Sequence, residues 1–64
     1  MVYLVEFEAD VQGIASVKRI TGTMLVYGKD VSTAKHFAES VISDSYSDDF
    51  AIISIVPQIV YNMT

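Results

Sequence analysis

Few residues in this 64-residue chain could carry out chemistry: eight carboxylates, one histidine, and hydroxyl groups, with no cysteine. His36 has Ser32 and Ser40 one helical turn away on either side, a spacing at which a base could activate a hydroxyl. Both serines fall on an open helix face, and nothing nearby implies a cleft or an oxyanion site. We therefore predict that the chain is not an enzyme.

The densest acidic group in the sequence consists of Asp44, Asp48 and Asp49. These aspartates lack the spacing and the central glycine of a calcium loop. One histidine without cysteine cannot complete a structural zinc site, and the three isolated glycines form no phosphate-binding motif. We predict a solvated acidic loop, with no metal and no cofactor.

Tyrosine is a common interface anchor, because it combines a large contact area with a hydrogen-bonding tip. Tyr46 lies among the three aspartates, and Tyr27 follows a run of apolar residues. The predicted partner-binding residues are Asp44, Tyr46, Asp48, Asp49 and Tyr27. Their carboxylates would suit a partner with a basic surface.

Composition limits the kinds of partner. The net charge of -4 opposes binding to a phosphate backbone, so we expect no direct contact with nucleic acid. No apolar run reaches the roughly 18 to 20 residues of a membrane span, and the first residues lack the basic start of a secretory signal, so we expect a cytoplasmic protein. Hydrophobic residues nevertheless make up 52% of the chain, which predicts an exposed apolar surface.

Two strands and a turn are predicted before the helix. Apolar residues alternate from Val2 to Ala9, and a second β-rich stretch runs from Val17 to Gly28 after a turn that contains Gly13. The second stretch changes phase around Gly22. This change indicates either a β-bulge at that glycine or a strand that is apolar on both faces.

A helix is predicted to begin after Asp30, whose side chain can accept hydrogen bonds from the first turn. Its apolar stripe consists of Ala34, Phe37, Ala38, Val41 and Ile42. The serines and aspartates from residue 43 to 49 favour bonds to their own backbone and are predicted to form a loop.

The segment from Phe50 to Val56 is predicted to be a third strand with both faces covered, interrupted by Pro57. Ile59, Val60 and Tyr61 could add a short fourth strand or a bulged continuation of the third, with the proline confined to an edge or bend. The whole chain is therefore predicted to be one α+β domain, residues 1–64, with the order ββαβ and an antiparallel sheet packed against one helix.

One helix can cover only one face of such a sheet. The other face would carry Leu25 and Tyr27, with either the set Ile53 and Ile55 or the set Phe50, Ile52 and Val56. That face is a candidate interface, for a partner or for a homodimer, unless residues 58 to 64 fold over it.

The stretch from Leu25 to Glu39, LVYGKDVSTAKHFAE, resembles a strand-to-helix signature of small phage-encoded α/β proteins, including anti-CRISPR proteins and the antitoxins of the HicB type. It covers about a quarter of the chain. HicB antitoxins normally place three strands before the helix, whereas two are predicted here. The resemblance to phage inhibitors implies a protein that occupies the surface of a host or defence protein.

Two functions follow as hypotheses. The first is a non-catalytic binding module, a phage-encoded inhibitor that blocks a host or defence protein by occlusion. The second is a homo-oligomeric structural or regulatory subunit, including an antitoxin-like one, that buries its second sheet face in its own interface.

Overall fold

The structure, a computed structural model, describes residues 1–59. The elements are β1 (Val2–Gln12), β2 (Val17–Tyr27), α1 (Val31–Ser45) and β3 (Phe50–Gln58). The strands form one antiparallel sheet in the order β2-β1-β3, with α1 packed on one face. The predicted α+β fold with the order ββαβ is confirmed.

The central strand is β1, which pairs with both neighbours and supplies most of the core. Tyr3, Val5, Phe7 and Ala9 are all buried against α1, as their alternation predicts. The strand extends to Gln12, three residues further than predicted. Pairing with β3 stops at Ala9, opposite Phe50, but pairing with β2 continues to Gln12.

Strand β2 pairs with β1 without interruption from Tyr27 back to Val17, so the bulge considered at Gly22 is absent. The glycine is required for another reason. A Cβ atom at Gly22 would lie 2.8 Å from Cζ of Phe7, whose buried ring covers the glycine. Apolar residues do occur on both faces of β2, which was the other interpretation of the pattern.

The register shift of the sheet lies between β1 and β3 instead. Glu6 pairs with Ser54 and Phe7 with Ile52, which leaves Ile53 as the extra residue of a bulge. The bulge changes the phase of β3. Consequently neither predicted set of residues shares one face, because Ile52 and Ile55 both pack against the core.

Two further predictions for β3 need correction, and a third lies mostly outside the described residues. The strand runs through Pro57 to Gln58 instead of ending before the proline. Within residues 1–59 its second face is open, since Ile53 and Val56 are exposed, so the expectation that both faces are covered is wrong for this part of the chain. The alternative that residues 58 to 64 fold over this face lies mostly outside the described residues. Ile59 lies outside β3, and the rest of the predicted fourth strand, Val60 and Tyr61, lies outside the described residues.

Helix α1 begins as predicted. The Asp30 carboxylate accepts a hydrogen bond from the Thr33 amide at 2.8 Å, and this bond lowers the pKa of Asp30. The helix ends later than expected, at Ser45, so Asp44 lies in its last turn and not in a loop.

The buried face of α1 is narrower than its apolar stripe. Ala34, Ala38 and Ile42 are fully buried, whereas Phe37 is 57% exposed, which makes its placement in the core wrong. Successive helical residues differ by about 100° around the axis. Because the face is centred on Ala38, the preceding residue points to the side of the helix.

Candidate functional site

Two of the predicted partner-binding residues, Asp44 and Tyr46, lie at the end of α1 in different environments. Asp44 is exposed on α1, and Tyr46 follows the helix as its C-cap. The Tyr46 ring lies 5.6 Å from the Phe7 ring, centroid to centroid, in a tilted arrangement, and the residue remains 44% exposed. Tyr46 is therefore partly a core residue.

The α1–β3 loop is tied to β1 by several hydrogen bonds. The Ser47 hydroxyl donates to the Asp10 carbonyl oxygen at 2.7 Å, and the Asp10 amide donates to the Asp49 carbonyl oxygen at 2.9 Å. Asp48 accepts a hydrogen bond from the Ser43 hydroxyl. These bonds position the backbone, while Asp48 and Asp49 remain exposed at one end of the sheet.

Tyr27 lies at the other end of the sheet. It pairs with Val2, whereas the acidic loop joins the sheet where Phe50 pairs with Ala9. The two positions are separated by seven residues of β1, or about 23 Å. The structure therefore does not bring the predicted partner-binding residues into one site.

Tyr27 belongs to a different surface, the sheet face opposite α1, which we call the open face. Leu4 lies there between Leu25 on β2 and Val56 on β3, and Val2 lies beside Tyr27 in the next row. Leu25 is 66% exposed and Tyr27 78% exposed. We call these residues the apolar half of the open face: Val2, Leu4, Leu25, Tyr27 and Val56.

The sequence pattern predicts only part of this half. It places Leu25 and Tyr27 on this face, and it includes Val56 in a set that the bulge divides. Leu4 is not among the predicted interface residues, although it alternates in step with Glu6 and Glu8, two charged residues that are rarely buried. That shared phase was the signal that Leu4 is exposed.

The other half of the open face is polar and mainly acidic. Arg19 donates hydrogen bonds to Asp10 at 2.9 Å and to Glu8 at 3.1 Å, and these bonds, with that to Asp10 the stronger, raise the pKa of Arg19. A shallow, open depression adjoins them and is lined by Glu6, Thr21, Gly22 and Thr23. The open face thus changes from apolar to acidic along the strands.

The groups considered for catalysis lie apart from this face. Ser32, His36 and Ser40 are exposed on α1. Within residues 1–59, no cluster of histidine and carboxylate side chains is arranged to hold a metal ion. No helix in this part of the chain has the length and apolar character needed to cross a membrane.

No protein-family model, curated protein or solved structure matches the chain.

Proposed function

We propose that this chain is a non-catalytic protein-binding module, which acts by covering a surface of another protein. The observation that carries the proposal is the apolar half of the open face. Leu25, Leu4 and Val56 form a row across all three strands, and the described residues leave all three exposed. Contiguous exposed apolar residues bordered by polar ones are typical of protein-interaction sites.

The charge of the same face indicates the kind of partner. Glu6, Glu8 and Asp10 adjoin the apolar half, Arg19 offsets only part of their charge, and the chain carries -4 overall. A complementary partner would present an apolar patch bordered by basic residues. A host or defence protein that handles nucleic acid has such basic surfaces, and the phage-inhibitor resemblance of residues 25 to 39 supports this class of partner. The site of action would then be the cytoplasm of the infected cell.

Within this proposal, Tyr27 is the stronger anchor and the acidic loop is a secondary contact. Tyr27 has most of its side chain available, whereas part of the Tyr46 ring is already packed on Phe7. Asp44, Asp48 and Asp49 would chiefly steer the approach of a basic partner, because exposed charges affect association rates more than final affinity.

The test begins with capture of a partner on the immobilised chain. The affinity of that partner is then measured for variants with substitutions on each candidate surface. Leu25→Ser combined with Tyr27→Ser should weaken binding by about 2 kcal/mol or more, as loss of interface anchors does. Asp48→Ala with Asp49→Ala should mainly slow association and reduce its dependence on salt.

Phe37→Ser is the matched control, because Phe37 is also an exposed apolar residue but belongs to the helix. It should leave affinity unchanged. Unchanged affinity in the Leu25 and Tyr27 variant would reject the open face. If Tyr46→Ala then removed binding while Tyr46→Phe preserved it, the site would be the acidic loop.

A second candidate function is a homo-oligomeric structural or regulatory subunit. A separate observation favours it: β2 is a long edge strand of the sheet, and its outer side has no hydrogen-bonding partner among the described residues. Edge strands of this kind are templates for pairing with another chain.

A further inference from the structure

We propose that β2 binds β2 of a second copy of the chain, antiparallel, about a two-fold axis that is normal to the sheet and passes midway between the two Gly22 residues. The two sheets would then become one continuous sheet with both helices on the same side. This inference rests on the second candidate function and specifies its interface. It uses the edge of the sheet, whereas the partner site proposed above uses the open face.

The hydrogen bonds at the start of β1 show which groups of β2 are free. Met1 and Gly28 each donate an N–H to the other's carbonyl oxygen, both at 3.1 Å. In an antiparallel ladder such doubly bonded pairs recur at every second residue. At the far end of the hairpin, the bond of 2.8 Å from the Gly13 amide to the Ser16 carbonyl oxygen has the same phase.

The even-numbered residues of β2 therefore bond to β1, and the odd-numbered residues direct their N–H and C=O groups outward. These outward residues are Val17, Arg19, Thr21, Thr23, Leu25 and Tyr27. Hydrogen bonds from other described residues reach none of their backbone groups. Among residues 1–59, strand β2 thus presents a full edge of unpaired donors and acceptors.

The opposite edge of the sheet, on β3, is protected. Ile53 forms the bulge described above, and bulges disrupt pairing along an edge. Pro57 pairs with Tyr3, whose backbone bonds point toward β2, so the proline occupies an outward position and offers no N–H to another chain. Strand β2 contains neither device, which makes it the edge that is open to pairing.

The sequence of β2 is complementary to itself in one register. With Gly22 opposite Gly22 of the second copy, Thr21 lies opposite Thr23, and Val17 lies opposite Tyr27. Every outward N–H and C=O group then has a partner, whereas a shift of the centre leaves groups at both ends unpaired. Threonine pairs and aromatic pairs with β-branched residues are favourable across strands.

The remaining pairs of this register are also compatible. On the helix side, Ile20 lies opposite Met24, and both are only half-buried in the monomer. Lys18 lies opposite Val26 and Arg19 opposite Leu25, so no like charges face each other directly. This fit between β2 and itself favours a second copy over an unrelated strand.

The experiment measures mass by sedimentation equilibrium over a wide range of concentrations, with two variants that change the same two positions. Thr21→Lys with Thr23→Lys places introduced lysines opposite each other across the axis. Thr21→Glu with Thr23→Lys places an introduced glutamate opposite an introduced lysine in both halves. Both threonines are exposed, so both variants should fold, which circular dichroism can verify.

The parent chain of 7.1 kDa should reach twice its mass as concentration rises. The double-lysine variant should remain monomeric, and the glutamate–lysine variant should dimerise at least as well as the parent. A parent chain that stays monomeric would overturn both the inference and the homo-oligomeric function. A dimeric parent with two variants that behave alike would overturn the Gly22-centred pairing alone, since another surface of the chain, or another register of β2, would then form the dimer.

Discussion

Single residues at element boundaries control how this short chain changes direction. Asp30 is the clearest case, because the backbone must leave β2 and enter α1 within a few residues. Its carboxylate accepts the Thr33 amide hydrogen, which would otherwise lack a partner in the first helical turn. A side chain that is exposed and makes no core contact therefore sets the start of the helix.

Replacing Asp30 by alanine should lower the melting temperature at neutral pH, and Asp30→Asn should largely preserve it, because asparagine also caps helices. The pKa of Asp30 is lowered by folding, so the stabilisation is complete above the unfolded value of about 3.9 and is lost as pH falls through the folded value. Melts between about pH 6 and pH 2 should show the gap between parent and Asp30→Ala narrowing, while the gap between Asp30→Asn and Asp30→Ala persists. A gap that is independent of pH would contradict the role of the charged cap.

Two apolar residues of α1 differ in burial and should differ in stability. Ile42→Ala should cost about 2 to 5 kcal/mol, because Ile42 is fully buried. Phe37→Ala should cost less than about 1 kcal/mol, since more than half of the ring already contacts solvent. Chemical denaturation of both variants provides the comparison, and a larger loss for Phe37→Ala would mean that the helix is rotated on the sheet.

At the scale of elements, the contact between β1 and β2 depends on one pair of residues. Phe7 is nearly fully buried, and its ring lies over the backbone of Gly22. A glycine in a strand interior often marks close approach of another group, and here that group is an aromatic ring. The sheet can therefore hold a phenylalanine at its centre while α1 packs close above it.

Gly22→Ala should destabilise the fold by about 1 to 3 kcal/mol, because the new methyl group would lie too close to the Phe7 ring. Ser40→Ala is the control, since Ser40 is exposed on α1 and is not part of the β2 edge. Denaturation midpoints that are equal for the two variants would show that the ring can move aside without cost.

The whole molecule is elongated for its length. Its Cα radius of gyration is 13.6 Å, whereas a compact domain of this size has about 11 Å. The hairpin of β1 and β2 continues past the end of β3, and only eight side chains form the buried hydrophobic core among the described residues. A small domain with so little core gains stability when another chain covers its edge or face.

The melting temperature of the parent chain should accordingly rise with protein concentration, because dimerisation stabilises only the folded state. The double-lysine variant at positions 21 and 23 should melt at a temperature that does not depend on concentration. Scanning calorimetry at several concentrations tests this directly, and a parent transition that stays constant would contradict dimerisation through β2.

The sequence alone determined the order of the elements and the position of the helix start. These features depend on neighbours along the chain: the alternation in Val2 to Ala9, the cap at Asp30, and the glycine-containing turn before Val17. Local backbone preferences and side-chain periodicity act over a few residues, so they can be identified without knowledge of the partners across the sheet.

The tertiary structure decided which apolar residues are buried and where the predicted site residues meet solvent. Phe37 is exposed because the buried face of α1 is centred on Ala38. The alternation of buried residues along β3 shifts at Ile53, because the bulge there arises from pairing with β1. Tyr27 and Tyr46 were separated because β1 spans the distance between them. Burial and proximity result from packing between distant segments, and periodicity within one segment does not specify that packing.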